Sequence, residues 1–165
     1  MNSEKFHNYK STVVWTGNNG NGTDNYKNYE RSHTISIQNK CDISASSDAP
    51  FRGDITKHNP EDLFLSSISS CHMLWYLHLC ADNGIVVQEY SDEAEGTMLQ
   101  TETGGGYFTQ VTLHPKVVIE DKSLIQFAIE LHHKANQKCF IANSLGFKVL
   151  HNPTIIAVEK SDANQ

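Results

Sequence analysis

Four cysteines, Cys41, Cys71, Cys80 and Cys139, are the side chains of this 165-residue sequence with the chemistry of a soft nucleophile or redox centre. The reacting species is the thiolate, so the residues around each sulfur decide whether it acts. Cys71 lies in an apolar run beside Ser66, Ser67, Ser69 and Ser70. Two readings stand for it: a small core hydrophobe, or a nucleophile whose small polar neighbours leave room for a substrate. Cys139 follows Ala135-Asn136-Gln137-Lys138 at a junction between two helical segments. Cys80, nine residues beyond Cys71, points about half a revolution away on a helix and reads as core. Cys41 reads as structural, on a strand. A buried thiolate needs a fixed cation nearby, and Arg31 and Arg52 are the only guanidinium groups among the 13 basic side chains. Arg52 is either structural or a contact for a polar substrate end. Zinc is the rival chemistry, through Cys71-His72, His78-x-Cys80 and His132-His133 with Cys139. Against it, no CxxC or HxxxH pair occurs, and Cys71, His72 and Cys80 project at different angles; no metal and no bound cofactor are expected.

The element that must position Cys71 is a helix over 59–83. Asn59 is a good N-cap, Pro60 suits the first helical position, and Asp62 completes a capping-box-like pattern. Asn83-Gly84 supplies the stop. Leu63 to Ala81 carries no formal charge and is long enough to span a bilayer. Its serines and histidines, and the acidic residues Glu61, Asp62 and Asp82 at its borders, make it a buried core helix instead. Ahead of it come strands over Lys10–Thr16, Arg31–Ile37 and Cys41–Ser46, with a glycine-rich hairpin tip at Gly17–Asn25. After it come a long strand within Ile85–Gln100, bent near Gly96, and a hairpin at Gly104-Gly105-Gly106. The return strand is Tyr107–Glu120, where Pro115 implies an edge or a bulge. Leu124, Phe127, Ala128, Leu131 and Ala135 then mark an amphipathic helix capped by Asp121 or Ser123 and running to about Lys138. A short helical piece over Cys139–Ser144, a last strand over Thr154–Val158 and a frayed polar tail complete the chain. The order predicts an α+β class with antiparallel sheet, as one domain over 1–165: a meander to 58, the helix over 59–83, and the remainder over 84–165.

Net charge is −6 with a pI near 5.8, and the basic residues are scattered, which argues against nucleic-acid binding. The N-terminus has no apolar core of a secretory signal, and the cysteine spacings form no secreted disulfide framework. A cytoplasmic protein with reduced thiols, and no membrane partner, is expected.

Asn59-Pro60-Glu61-x-Leu63, with Cys71 ten residues after the glutamate, resembles the central helix of the OsmC/Ohr family. His132-x-x-Ala135-Asn136-x-x-Cys139-x-Ile141-Ala142-x-Ser144 resembles its second cysteine segment, and Arg31 in Tyr29-Glu30-Arg31-Ser32-His33 resembles its thiolate-stabilising arginine. The resemblance covers about Val13 to Val158. It implies an OsmC-like fold in which antiparallel sheets wrap two long central helices of an intertwined homodimer. It assigns Cys71 the peroxide-attacking role and Cys139 the resolving role, through a Cys71 sulfenate and a Cys71–Cys139 disulfide. An external dithiol of lipoyl type would reduce that disulfide. Glu61 would orient the Arg31 guanidinium through a bidentate pair, besides favouring the helix dipole. Ten helical residues span about 15 Å, so Glu61 and Cys71 share a site only through a bent helix, long bridging side chains, or two subunits; the two-subunit version is favoured here. Phe64, Trp75 and Phe140, with Leu74 and Leu77, would line a pocket for bulky organic hydroperoxides or pack as core. His72 follows the first cysteine where an aromatic is common in the family, and Phe140 follows the second where proline is common. These departures point to a distinct subfamily, with His72 beside the thiol and the substrate. A non-enzymatic OsmC-fold redox sensor or small hydrophobic ligand-binding protein is the other reading.

Overall fold

A computed structural model of the protein describes residues 4–158; the polar tail expected beyond Val158 lies outside them. The chain forms two compact units, 1–63 and 64–165.

In the first unit β1 (Thr12–Trp15), β2 (His33–Ser36) and β3 (Ile43–Ala45) form an antiparallel meander with β2 in the middle. The hairpin expected from the β-branched runs is therefore present, with Val13 opposite Ile35. Cys41 is exposed in the connection before β3 rather than on a strand. A 3-10 turn over Ala49–Phe51 follows. There Gly53 has no substitute, because a Cβ would lie 1.5 Å from the Ser47 carbonyl oxygen.

Helix α1 (Pro60–Asp82) starts and stops where the local signals place it. The Asp62 N–H donates to Asn59 Oδ1 at 2.7 Å, and the Asn59 N–H donates to Asp62 Oδ2 at 3.3 Å, a reciprocal capping box. At the far end Gly84 takes φ +71°, the Ile85 N–H reaches the Cys80 carbonyl at 2.9 Å and the Gly84 N–H reaches that of Ala81 at 3.2 Å. This is a Schellman stop, with Ile85 buried against the last turns.

The second unit holds two mixed three-stranded sheets, where the sequence suggested antiparallel pairing throughout. One is ordered β4 (Val87–Asp92), β7 (Pro115–Ile119), β9 (Thr154–Ala157). The other is ordered β5 (Glu95–Gln100), β6 (Gly106–Leu113), β8 (Val149–His151). Hairpin partners pair antiparallel, and β8 and β9 add in parallel after the second helix. The two long strands read from sequence are thus each divided between the two sheets, one at Glu93-Ala94 and the other at His114. Asp92 ties both breaks together: Oδ1 accepts the His114 backbone N–H at 2.7 Å and Oδ2 accepts the Ser69 hydroxyl of α1. Pro115 opens β7, the central strand of its sheet, instead of marking an edge. Proline is tolerated there because the first residue of a strand owes no ladder donor. The expected irregularity near Gly96 is a register shift between Thr97 and Met98.

Asp121 accepts from the Ser123 N–H and starts a 3-10 turn that runs into α2 (Ile125–Lys138). The C-terminal half of α1 packs Tyr76, Leu79 and Cys80 on Val117 and Ile119 of β7 and on Ala128, Leu131 and Ala135 of α2. Its N-terminal half packs Ile68 on Val111, Leu113 and Val149 of the other sheet. A third 3-10 turn, Ala142–Ser144, follows Cys139.

Asp92 holds charge-assisted hydrogen bonds that fix where two strands change sheet. Asp92→Ala is expected to cost about 2–3 kcal/mol, read as a lower urea midpoint at unchanged m-value.

Candidate active site

Phe64, Cys71, Trp75 and His78 recur along α1 at spacings that put them on one face. The core stripe of the same helix, Ile68, His72, Tyr76 and Leu79, is rotated toward the sheets and α2. Cys71 is therefore partly exposed, whereas its neighbour His72 is fully buried.

Cys139 is the C-cap of α2, in extended conformation, so the chain leaves the helix there. The residues on either side grip one α1 side chain. The Lys138 ammonium sits 5.4 Å above the Trp75 ring, and the Phe140 ring meets Trp75 edge-on at 5.8 Å. Trp75 is one turn after Cys71, so this clasp brings Cys139 to Cys71. The Cys71 thiol is near enough to act on the Cys139 thiol, and both are free. Cys139 is 0% exposed. Its sulfur accepts the Ala142 backbone N–H at 3.4 Å and is also approached by that of Ile141. Burial first, and then the Cys71 thiol, push the Cys139 thiol up to about 11 against the pull of the two amides.

Phe64 packs on Phe108 with ring centres 4.7 Å apart and planes tilted by 33°, and borders a cleft of about 480 Å³ with Tyr107, Thr109, Gly146 and Phe147. Trp75 lines a shallower recess of about 260 Å³ with Leu74 and His78. Phe140 is 65% exposed. These three aromatics thus lie on the face that carries Cys71. His72 does not: it is removed from any substrate surface and sits in the core.

The partners of His72 were not anticipated. Its Nε2 is 2.9 Å from Nδ1 of His132, and the two rings stack with planes 9° apart. Tyr76 stacks on His132 at 3.8 Å, and His151 and His133 extend the group outward. One signal existed, since His132 falls on the apolar stripe of α2, four residues after Ala128. Burial lowers His72 to about 4 and His132 to about 2, assisted by the neighbouring histidines, so both imidazoles are neutral at neutral pH. Among the described residues no three His, Cys, Asp or Glu side chains gather to hold a metal ion, and no helix is long and apolar enough to cross a membrane.

In the first unit Arg31 sits between tyrosines. Its guanidinium donates to the backbone carbonyls of Tyr26 and Tyr29 and lies 4.2 and 4.1 Å from the centres of their rings. No ion pair joins it to Glu61 among the described residues. Glu61, on the first turn of α1, keeps a buried carboxylate oxygen with no hydrogen-bond partner among the described residues. Arg52 is exposed, with φ +65° at the end of its turn, and its guanidinium donates to the Lys27 carbonyl at 3.5 Å. Cys80 is buried beside Tyr76, away from the thiol pair.

Residues 53–152 match the family model described as OsmC-like protein. The chain belongs to the OsmC-like family. An OsmC-like protein of unknown function from Vibrio cholerae is similar at 30% identity and a TM-score of 0.80, over 90% of this chain and 100% of that one. An organic hydroperoxide resistance protein from Elizabethkingia anophelis shares the fold at 19% identity and a TM-score of 0.68, over 94% and 100% of the two chains. Another, from Legionella pneumophila, does so at 15% identity and a TM-score of 0.65, again over 94% and 100%. No curated protein matches the chain. The OsmC-like fold is thus the α+β arrangement of two helices and mixed sheets described above.

The histidine stack makes stability of this OsmC-like chain pH-dependent in a definite direction. Both folded values lie below the ordinary histidine value of 6.5. The stabilisation is therefore complete above that value and is lost as pH falls toward 4, because the unfolded chain takes protons the native one refuses. His72 alone accounts for about 3 kcal/mol by pH 4. Between pH 6.5 and 4.5 the unfolding free energy from urea titrations is expected to fall by about 1 kcal/mol per pH unit for each of the two histidines. A His72→Leu/His132→Leu double variant should lose that part of the slope.

Proposed function

We propose that the protein is a thiol peroxidase that reduces organic hydroperoxides to alcohols. The observation that carries this reading is the pairing of a partly exposed Cys71 thiol with a sealed Cys139 thiol. The Cys71 thiolate attacks one peroxide oxygen, the O–O bond breaks, and the alcohol leaves with a proton. Cys71 is then a sulfenic acid. The Cys139 thiol displaces its hydroxyl as water, giving the Cys71–Cys139 disulfide. An external dithiol, of lipoyl type by family resemblance, returns both thiols and is itself oxidised to a disulfide. No resident cofactor or metal is needed for these steps. The role fits an antioxidant in the oxidative stress response of the cytoplasm, with neither nucleic acid nor membrane as partner. The organic hydroperoxide resistance proteins that share the fold support the same reading.

The working form is a homodimer in which sheets wrap the paired central helices, and Arg31 and Glu61 complete each site across the subunits. Three features support it. β1 is an edge strand with Val13 and Val14 61% and 52% exposed. Leu74 of α1 is 62% exposed beside the thiol face. The orphaned Glu61 oxygen asks for a donor from outside the chain, and a guanidinium supplies two in fork geometry. Arg31 then leaves or shares its tyrosine cradle to hold the Cys71 thiolate.

The apolar cleft of Phe64, Phe108 and Phe147 favours a second reading, a non-enzymatic redox sensor or binder of small hydrophobic ligands. Dithiol-dependent consumption of tert-butyl hydroperoxide decides between them. Cys71→Ser is expected to abolish it, Cys139→Ser to leave a single turnover, and Arg31→Lys to slow it about 10²-fold. Ligand-dependent thermal stabilisation that persists in Cys71→Ser, with no peroxide consumed by the wild type, would select the second reading.

A further inference from the structure

We infer that the external dithiol which regenerates the oxidised protein attacks the sulfur of Cys71, and that Cys139 is the leaving thiolate, received by the backbone amides of Ile141 and Ala142. The inference rests on the reading that Cys71 and Cys139 form the disulfide of the cycle, and it adds the direction in which that disulfide opens.

Thiol–disulfide exchange is an in-line displacement, so the nucleophile must reach the attacked sulfur from the side opposite the departing one. The two sulfurs differ in this respect. Cys71 lies on the partly exposed face of α1 with Phe64 and Trp75. Cys139 is 0% exposed, and the Ala142 N–H stands 3.4 Å from its sulfur. The side chains of Lys138 and Phe140 close over Trp75 on either side of it. A dithiol therefore has an approach to Cys71 and none to Cys139.

Access and not leaving-group acidity sets this direction, since Cys139 is the weaker acid. In the first step the donor thiolate forms a bond to Cys71, the Cys71–Cys139 bond breaks, and the electron pair stays on Cys139. Successive backbone N–H groups form an anion-binding concavity, and those of Ile141 and Ala142 converge on that sulfur. They do not make it a stable thiolate. Burial keeps Cys139 high, at about 11, so the released anion takes a proton at neutral pH. As a thiol it is a poor nucleophile and does not re-attack the mixed disulfide. In the second step the donor's other thiolate attacks the donor sulfur bonded to Cys71. That bond breaks, Cys71 departs with its electron pair, and the donor leaves as a cyclic disulfide. The protein has gained two electrons and two protons, and the dithiol has lost them.

A monothiol cannot complete the second step and so marks the sulfur it attacked. The wild-type disulfide is prepared with tert-butyl hydroperoxide and, in parallel, with diamide. It is treated briefly with cysteamine and quenched in acid. The freed thiol is capped with N-ethylmaleimide, and the digest is mapped by mass spectrometry. The expected result is cysteamine on Cys71 and maleimide on Cys139, in at least about tenfold excess over the reverse pattern. Cysteamine mainly on Cys139, or divided evenly, overturns the inference and leaves the peroxidase reading standing. A disulfide formed by diamide but not by the peroxide sinks the peroxidase reading, while the exchange result still stands. Failure of both oxidants to join the two sulfurs removes both.

Discussion

The contact between two thiols at the seam of α1 and α2 is the constraint on which the rest of the site depends. It has no covalent or ionic fastening of its own. Cys71 is carried by a rigid helix, but Cys139 lies past the end of α2, where the chain turns away. Trp75 supplies the fastening, with Lys138 over its face and Phe140 against its edge. A tryptophan suits the task because a single rigid side chain offers both a π face to a cation and a perimeter to an aromatic ring. Holding the flanking residues fixes the cysteine between them, more firmly than a contact to Cys139 itself could, since a thiol is a weak hydrogen-bonding group.

The same helix handles a second problem on its other stripe. His72 and His132 place two imidazoles where there is no solvent, and each keeps one ring nitrogen without a partner among the described residues. Their mutual hydrogen bond and the stacking of Tyr76 and His151 offset part of the desolvation cost, but not all of it. Neutrality is the form such a pair can hold, because protonating one ring puts a charge beside three other imidazoles. The stack thus couples α1, α2 and β8 by a polar contact that exists only while all three are packed and the rings uncharged. Residues adjacent in sequence, Cys71 and His72, serve opposite ends of this division: one is left toward solvent, the other locks the helix that presents it.

Legibility in the sequence followed the range of the forces. The bounds of α1 were readable because the capping box of Asn59 and Asp62 and the Gly84 stop are interactions within a few residues. The hairpins were readable from β-branched alternation and glycine turns. The division of both long strands was not, because it is set by Asp92 binding Ser69 and the His114 backbone across 22 residues or more. β8 escaped because three residues with no alternation carry no period, and its parallel pairing with β6 is decided by tertiary packing alone. In the site, residue types and local motifs pointed to Cys71 and Cys139. Neither the Trp75 clasp nor the burial of His72 could be read there, since each depends on what a distant segment brings alongside.

The asymmetry between the two sulfurs has a further physical consequence. On the proposed reading, a nucleophile that must meet bulky substrates has to be reachable, while a resolving thiol works best when nothing else competes for it. Sealing Cys139 protects it from over-oxidation and stray disulfides, because oxidation follows thiolate character and exposure and it has little of either. The cost is a sluggish thiol, and proximity compensates for it. In the proposed cycle, a Cys139 sulfur held against Cys71 would react as if at very high local concentration, and effective molarities of order 10⁵ M or more would outweigh a deficit of about a hundredfold in thiolate fraction. Geometry can therefore replace acidity at Cys139. It could not do so at Cys71, where in the proposed cycle the peroxide would arrive by diffusion, and for that reason a fixed guanidinium is proposed on the Cys71 side of the pair and not on the other.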